Sequence, residues 1–310
     1  MVAVISPWTE DSEDRSADSI GANHLLGAML DVGDLAIARA FYDPIVRAAG
    51  ARWTGGRDAL AFEGRGQRVE LLQRRRPRVL GWAGHHVALS VPAGRLHALT
   101  DELRAAGHTL NWWREDHPAE REPTAYASDP SGNLVQLVGS TDTAPLLGHV
   151  TVPVHDVELG EKFYRVILGA RLDYYHGWRT EDTMEAKAWA NADDPCAPWT
   201  RVSKYAPLYH VTVARPVVQV FLRLGEQRLG MVVATKHVQE PPEETLRGTP
   251  AVILGTQKSA REVAAALPTL DVTTSEAIHV PRGIPFRRIG NTVYLRDRSG
   301  NFVQLVCAGA

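Results

Sequence analysis

The chain has 310 residues, of which 44% are hydrophobic and 23% charged, with 34 Lys and Arg against 36 Asp and Glu. That length exceeds what one hydrophobic core usually serves, so two domains are expected, and a net charge of −2 gives no general case for nucleic acid or an anionic membrane surface as partner. Two cysteines, Cys196 and Cys307, support neither a disulfide framework nor a cysteine zinc site, and no apolar run reaches the length of a membrane span.

Residues 1–22 are polar and acidic, lack the apolar core of a signal peptide, and read as the disordered leader of a cytoplasmic protein. A strand is expected over Leu25–Val32, then a helix over Asp34–Ala49. Asp34 suits the N-cap, Leu35, Ala38, Phe41 and Tyr42 fall on one face, and Gly50 stops the helix, with Pro44 as a point of kinking. Three short strand-like runs follow, near Ala51–Trp53, Ala59–Phe62 and Arg68–Leu72. The same β-α-β-β-β order recurs with a strand at His86–Val91, a helix at Arg95–Ala106 and strands near His108–Trp112, Thr124–Ser128 and Asn133–Val138. The polar stretch Ser140–Pro145 is the expected boundary between a first domain at 23–140 and a second at 146–310. Beyond it come a strand at His149–Val154 and a helix at Glu158–Ile167, whose Phe163-Tyr164 matches Phe41-Tyr42. A strand at Ala251–Leu254 and a helix at Ser259–Leu267 follow. The second half is longer through insertions near 178–207, rich in tryptophan, and 236–249.

One stretch is written twice. Tyr126-Ala-Ser-Asp-Pro-Ser-Gly-Asn-Leu-Val-Gln-Leu-Val-Gly139 and Tyr294-Leu-Arg-Asp-Arg-Ser-Gly-Asn-Phe-Val-Gln-Leu-Val-Cys307 agree at nine of fourteen positions without a gap. Each reads as strand, tight turn, strand: Asp129 and Asp297 can accept from their own turn backbone, and Gly132 and Gly300 supply positive φ. The alternation of the closing strands aims Gln136 and Gln304 away from the apolar face. Such a repeat implies internal duplication.

Paired modules of this order, ending in Asp-Pro-x-Gly-Asn-x-x-(acid or amide)-Leu, resemble the vicinal oxygen chelate superfamily, which includes glyoxalase I, bleomycin-resistance proteins, fosfomycin-resistance enzymes and extradiol dioxygenases. The resemblance covers roughly residues 24–307 and implies an α+β fold of two tandem glyoxalase-like domains, each a pair of β-α-β-β-β modules curled into a cup. It further implies metal ligands on the first and last strands of each module. Internal alignment places these at Gly27, Glu70, His86 and Gln136 in the first half. In the second half they fall at His149, Gly230, Ala251 and Gln304.

The first set offers an imidazole, a carboxylate and an amide for a divalent metal on Glu70, His86 and Gln136, much as glyoxalase I draws on Gln, His and Glu. In the competing account these groups are hydrogen-bonded inside a wet, metal-free cup. The second set supplies only His149 and Gln304, too little to hold the iron of ring cleavage. His149, with His86 and Glu70, is a candidate for acid–base catalysis. Gln304, Trp112 and Arg287 are candidates for holding a planar or anionic substrate. No phosphate-cradling glycine loop is present, so no nucleotide cofactor is expected. The reading is an enzyme acting on a small organic molecule. The alternative is a metal-free protein that binds and sequesters one, and a homo-oligomer is compatible with either.

Overall fold

The computed structural model describes residues 19–55, 59–77, 85–108, 110–112, 123–154, 157–176, 219–233, 250–267, 286–297 and 299–309. Both expected insertions lie outside these residues, as do Trp113, His117, Arg121, His279 and Arg282. Four β-α-β-β-β modules follow one another. The first comprises β1 (Ala22–Val32), α1 (Leu35–Ala48), β2 (Arg52–Gly55), β3 (Ala59–Gly64) and β4 (Gln67–Gln73). The second comprises β5 (His86–Pro92), α2 (Ala93–Ala105), β6 (Leu110–Trp112), β7 (Thr124–Ser128) and β8 (Leu134–Ser140). In the third, β9 (Leu147–Val154) leads into α3 (Val157–Glu161), which continues as a π-helix over Lys162–Ile167, then β10 (Arg171–His176), β11 (Gln219–Leu224) and β12 (Gln227–Val233). The fourth holds β13 (Pro250–Ser259), α4 (Ala260–Ala266), β14 (Phe286–Ile289), β15 (Thr292–Arg296) and β16 (Phe302–Ala308).

Local chemistry explains the helices. The Asp34 side chain accepts from the Ile37 N–H at 2.9 Å, so α1 starts where a capped N-terminus was expected. Its apolar stripe, Leu35, Ala38, Phe41, Tyr42, Ile45 and Val46, is buried. Pro44 sits inside α1, and Gly50 follows the helix with φ +65°, a conformation glycine adopts without strain. Ser259 and Glu262 form a reciprocal capping box at the start of α4.

Two sheets of eight strands form. In the first unit β1, β4, β3 and β2 lie side by side in one of them, and β9, β5, β8, β7 and β6 in the other. In three of the modules the first strand lies parallel to the last, β1 with β4, β5 with β8 and β13 with β16.

The described residues fall into two compact units, one over 26–152, the other over 19–25 and 153–309. Each is clasped by one copy of the repeated turn. In the first, Asp129 accepts from the backbone N–H groups of Ser131 and Asn133, both at 2.8 Å, from Asn133 Nδ2 at 2.9 Å and from Tyr42 Oη at 3.1 Å. Asn133 Nδ2 also donates to the Asp31 carbonyl at 2.8 Å, so the turn of the second module is tied to the helix and first strand of the first. In the other unit Asp297 accepts from Asn301 and from Tyr164 Oη at 2.9 Å, and Asn301 Nδ2 donates to the Pro153 carbonyl at 2.6 Å. Burial pushes the carboxyls of Asp129 and Asp297 above the ordinary range, and the hydrogen bonds from Asn133 or Asn301 and from the tyrosine pull them part of the way back.

The expected leader ended at Ala22, but its last residues belong to the fold. Ile20 is fully buried, its N–H donates to the Ile167 carbonyl at 2.7 Å, and the Ala22 N–H donates to the Leu168 carbonyl at 2.6 Å.

Candidate functional site

Along β5, alternation puts His86, Ala88 and Ser90 on one face of the strand. The neighbouring strands bring polar groups to that face. β9 runs antiparallel, with Thr151 opposite His86 and His149 opposite Ala88. β8 runs parallel on the other side, with Gln136 beside Ala88, and β7 sets Tyr126 opposite Gln136. One sheet face of the first unit thus carries two imidazoles, an amide, a threonine and a phenol ring.

The two imidazoles meet. His86 Nε2 lies 3.0 Å from His149 Nε2, with the rings edge to face and their centroids 5.2 Å apart. His86 is buried and His149 half-buried. The ring of Tyr126 packs edge-on against His86 at 5.9 Å. The other side of His86 is held by Thr151, whose hydroxyl oxygen is 2.8 Å from Nδ1 and also accepts the His86 backbone N–H at 2.8 Å.

Gln136 is buried and pinned at one end. Its Nε2 donates to Thr124 Oγ1 at 3.1 Å, and the Thr124 hydroxyl donates its own hydrogen to the Leu137 carbonyl at 3.0 Å. Thr124 can therefore only accept from the amide, which fixes which end of Gln136 is nitrogen. The opposite atom, Oε1, is buried and accepts no hydrogen bond from the described residues. An orphaned carbonyl-type oxygen costs about 1–3 kcal/mol unless something occupies its lone pairs.

This donor set fits a divalent ion in three respects. Both imidazoles bring the same nitrogen, Nε2, into close approach. Donors on a six-coordinate ion lie about 2.1 Å from the metal, so two at right angles are about 3.0 Å apart, which is the separation observed. The third donor is an amide oxygen whose lone pairs no described residue claims. Two imidazoles and an oxygen suit a borderline metal better than a hard one. The set carries no carboxylate, so a bound ion would keep its full charge. Among the described residues no cluster of three His, Cys, Asp or Glu exists; the third donor here is an amide, which such a pattern does not include.

The remaining expected site residues lie elsewhere. Glu70 is on β4, in the sheet that does not contain His86 and Gln136. Its carboxylate pairs with Arg68 Nε at 2.7 Å, and Arg68 also reaches Glu63 at 2.7 Å. The expected trio of Glu70, His86 and Gln136 is therefore not assembled. The cause is strand partnering rather than residue alignment. Glu70 lies beside Met29 in the register where Gln136 lies beside Ala88, so the modules were matched correctly to each other. Gln304 is on β16 beside Ile253 and opposite Tyr294, a repetition of the Gln136–Tyr126 pair in the sheet that lacks His149. The backbones of Trp112 and Arg287 pair with Ala125 and Tyr294; their side chains lie outside the described part. Thr151 and Thr124 were not singled out from sequence, because threonine is an ordinary strand residue. No described helix is long and apolar enough to cross a membrane.

No protein-family model matches the chain, and no curated protein matches it in sequence. Solved structures do. Glyoxalase I from Zea mays superposes with a TM-score of 0.55 at 19% identity, over 92% of this chain and 92% of the maize chain. A Bacillus subtilis protein provisionally assigned as a dioxygenase superposes with a TM-score of 0.54 at 12% identity, over 93% of this chain and 86% of its own. At such identities the likeness is one of fold. Together with the succession of β-α-β-β-β modules, it shows that this chain has the fold of the maize and Bacillus subtilis structures.

Proposed function

We propose that the chain is a small-molecule enzyme of the vicinal oxygen chelate type, with its reaction centre on the face formed by β9, β5 and β8. The observation that carries this reading is the approach of His86 Nε2 and His149 Nε2 to 3.0 Å on a face where the buried Gln136 Oε1 accepts no hydrogen bond from the described residues. His86, His149 and Gln136 would hold a divalent ion, and such an ion supplies Lewis-acid polarisation of a substrate oxygen. The chain's own groups do the rest. Thr124 and Thr151 hold the amide and one imidazole in place, and Tyr126 walls the His86 ring. A neutral donor set favours substrates that bring negative charge to the ion.

The alternative, a metal-free protein that binds a small organic molecule, is favoured by one feature. The histidine pair is self-consistent without an ion, since one Nε2–H can donate to the other Nε2 at 3.0 Å. Metal analysis separates the two. Protein purified without chelator and loaded with Ni(II), Co(II), Mn(II) or Zn(II) should retain about one ion per chain. His86→Ala and His149→Ala should each lose it and lose turnover together. Absence of any retained ion, with small-molecule binding intact, would establish the alternative.

A further inference from the structure

We infer that a row of three arginines across β10, β11 and β12 binds the oxyanionic group, carboxylate or phosphate, of a small molecule, at a site sharing no residue with the reaction centre proposed above. Cross-strand register sets Arg171 directly opposite Arg223, and Arg223 directly opposite Arg228. Residues directly opposite one another share a sheet face. That face is turned away from α3. A Cβ at Gly160 of α3 would lie 2.9 Å from Met231 Sδ, and alternation puts Arg228 on the side opposite Met231. All three arginines are exposed, the side chains of Arg223 and Arg228 by 55% and 45%. Asp173, at a register shift in β10, joins two of them: Oδ1 accepts from Arg223 Nη2 at 2.6 Å and Oδ2 from Arg228 Nε at 2.5 Å.

Directly opposed like charges destabilise a sheet, and the first module carries the same row without that cost. Its register sets Arg52 opposite Glu63 and Glu63 opposite Arg68, so the signs alternate. Arg68 pairs with both Glu63 and Glu70. In the third module Arg223 stands where Glu63 stands, and Gly230, opposite Phe221, stands where Glu70 is opposite Ala61. One carboxylate has become a guanidinium and the other has no counterpart. Asp173 takes one of the five N–H donors of Arg223, and Arg171 approaches from the strand on the other side of Arg223 from Arg228. Planar guanidinium forks match the paired oxygens of a carboxylate or phosphate. A bound oxyanion would supply the negative charge that Glu63 supplies in the first module, and so offset the repulsion between Arg171 and Arg223.

The test titrates the full-length wild type, Arg171→Gln, Arg223→Glu and His86→Ala by calorimetry at low ionic strength, with pyrophosphate and, separately, with tricarballylate. Arg223→Glu restores the alternating signs of the first module. The wild type should bind at least one of the two anions saturably, and which one it binds tells a phosphate source from a carboxylate source. Arg171→Gln should weaken that binding by about threefold to tenfold, and Arg223→Glu by about 30-fold or more. His86→Ala should bind the anion as the wild type does. A wild type that binds neither anion overturns the inference, and so does unchanged affinity in both arginine variants. Loss of binding in His86→Ala with Arg171→Gln unaffected would assign the anion to the reaction centre and overturns it equally. If Arg223→Glu fails to fold, Arg171→Gln decides alone, because Arg171 is exposed on a strand at the end of its sheet.

Discussion

Replacing Tyr42 with phenylalanine should weaken the first unit by a readable amount. The phenol oxygen donates to Asp129 Oδ2 at 3.1 Å, and both residues are buried. Phenylalanine keeps the ring and its edge-on contact with Phe41, at a centroid distance of 4.9 Å, so the apolar packing is retained. What is lost is one donor of the set that Asp129 accepts, the others being the backbone N–H groups of Ser131 and Asn133 and the Asn133 amide. A hydrogen bond to a buried acid contributes about 1.5–3 kcal/mol. For a chain of this size each kcal/mol moves the melting temperature by about 2–4 °C, so a fall of about 3–12 °C is expected. Denaturant unfolding gives the free energy and calorimetry the temperature. Tyr164→Phe should behave alike, because Tyr164 donates to Asp297 at 2.9 Å in the same arrangement. A loss below about 0.5 kcal/mol in both variants would show that the repeated turn is not a clasp and that its recurrence has another cause.

The acidity of that clasp makes a second prediction. Burial raises the Asp129 carboxyl above its ordinary value of 3.8, so between 3.8 and the raised value the native state binds more protons than the unfolded chain. Stability from this group is therefore present at low pH and falls as pH rises through that window, then levels. The unfolding free energy of wild type minus that of Asp129→Asn, measured from pH 3.5 upward, should decline with pH; a rise would mean the sign is wrong. Glu70→Gln should leave metal content unchanged, as assayed by elemental analysis, because Glu70 is engaged by Arg68 on the other sheet. Gln136→Glu adds a negative charge to a neutral donor set and should tighten Ni(II) or Co(II) binding by about tenfold or more in titration, while costing the hydrogen bond to Thr124.

Much of the fold could be read from the chain because its signals are local. The Asp34 cap, the Gly50 stop and the Asp129 and Asp297 turns each depend on a few adjacent residues. The alignment of modules was also legible, since Glu70 and Gln136 do occupy the same register against their first strands. That β9 lies beside β5 was not. It is decided by pairing between strands whose alternation of apolar and polar residues would suit several neighbours. For that reason His86 was grouped with Glu70 instead of with His149, although all three residues had been singled out. The π-helical turn over Lys162–Ile167 had no signature distinguishing it from the α-helical turn around Phe41 and Tyr42. Thr124 and Thr151 gained meaning only once β5, β8 and β9 lay side by side.

The most direct test of the reaction centre is anomalous diffraction from a crystal soaked in Co(II). The account predicts one strong peak bonded by His86 Nε2, His149 Nε2 and Gln136 Oε1, at about 2.0–2.2 Å from each. A peak at Glu70 in place of that position, or a crystal in which the histidines keep their 3.0 Å contact with no ion between them at saturating Co(II), would contradict it.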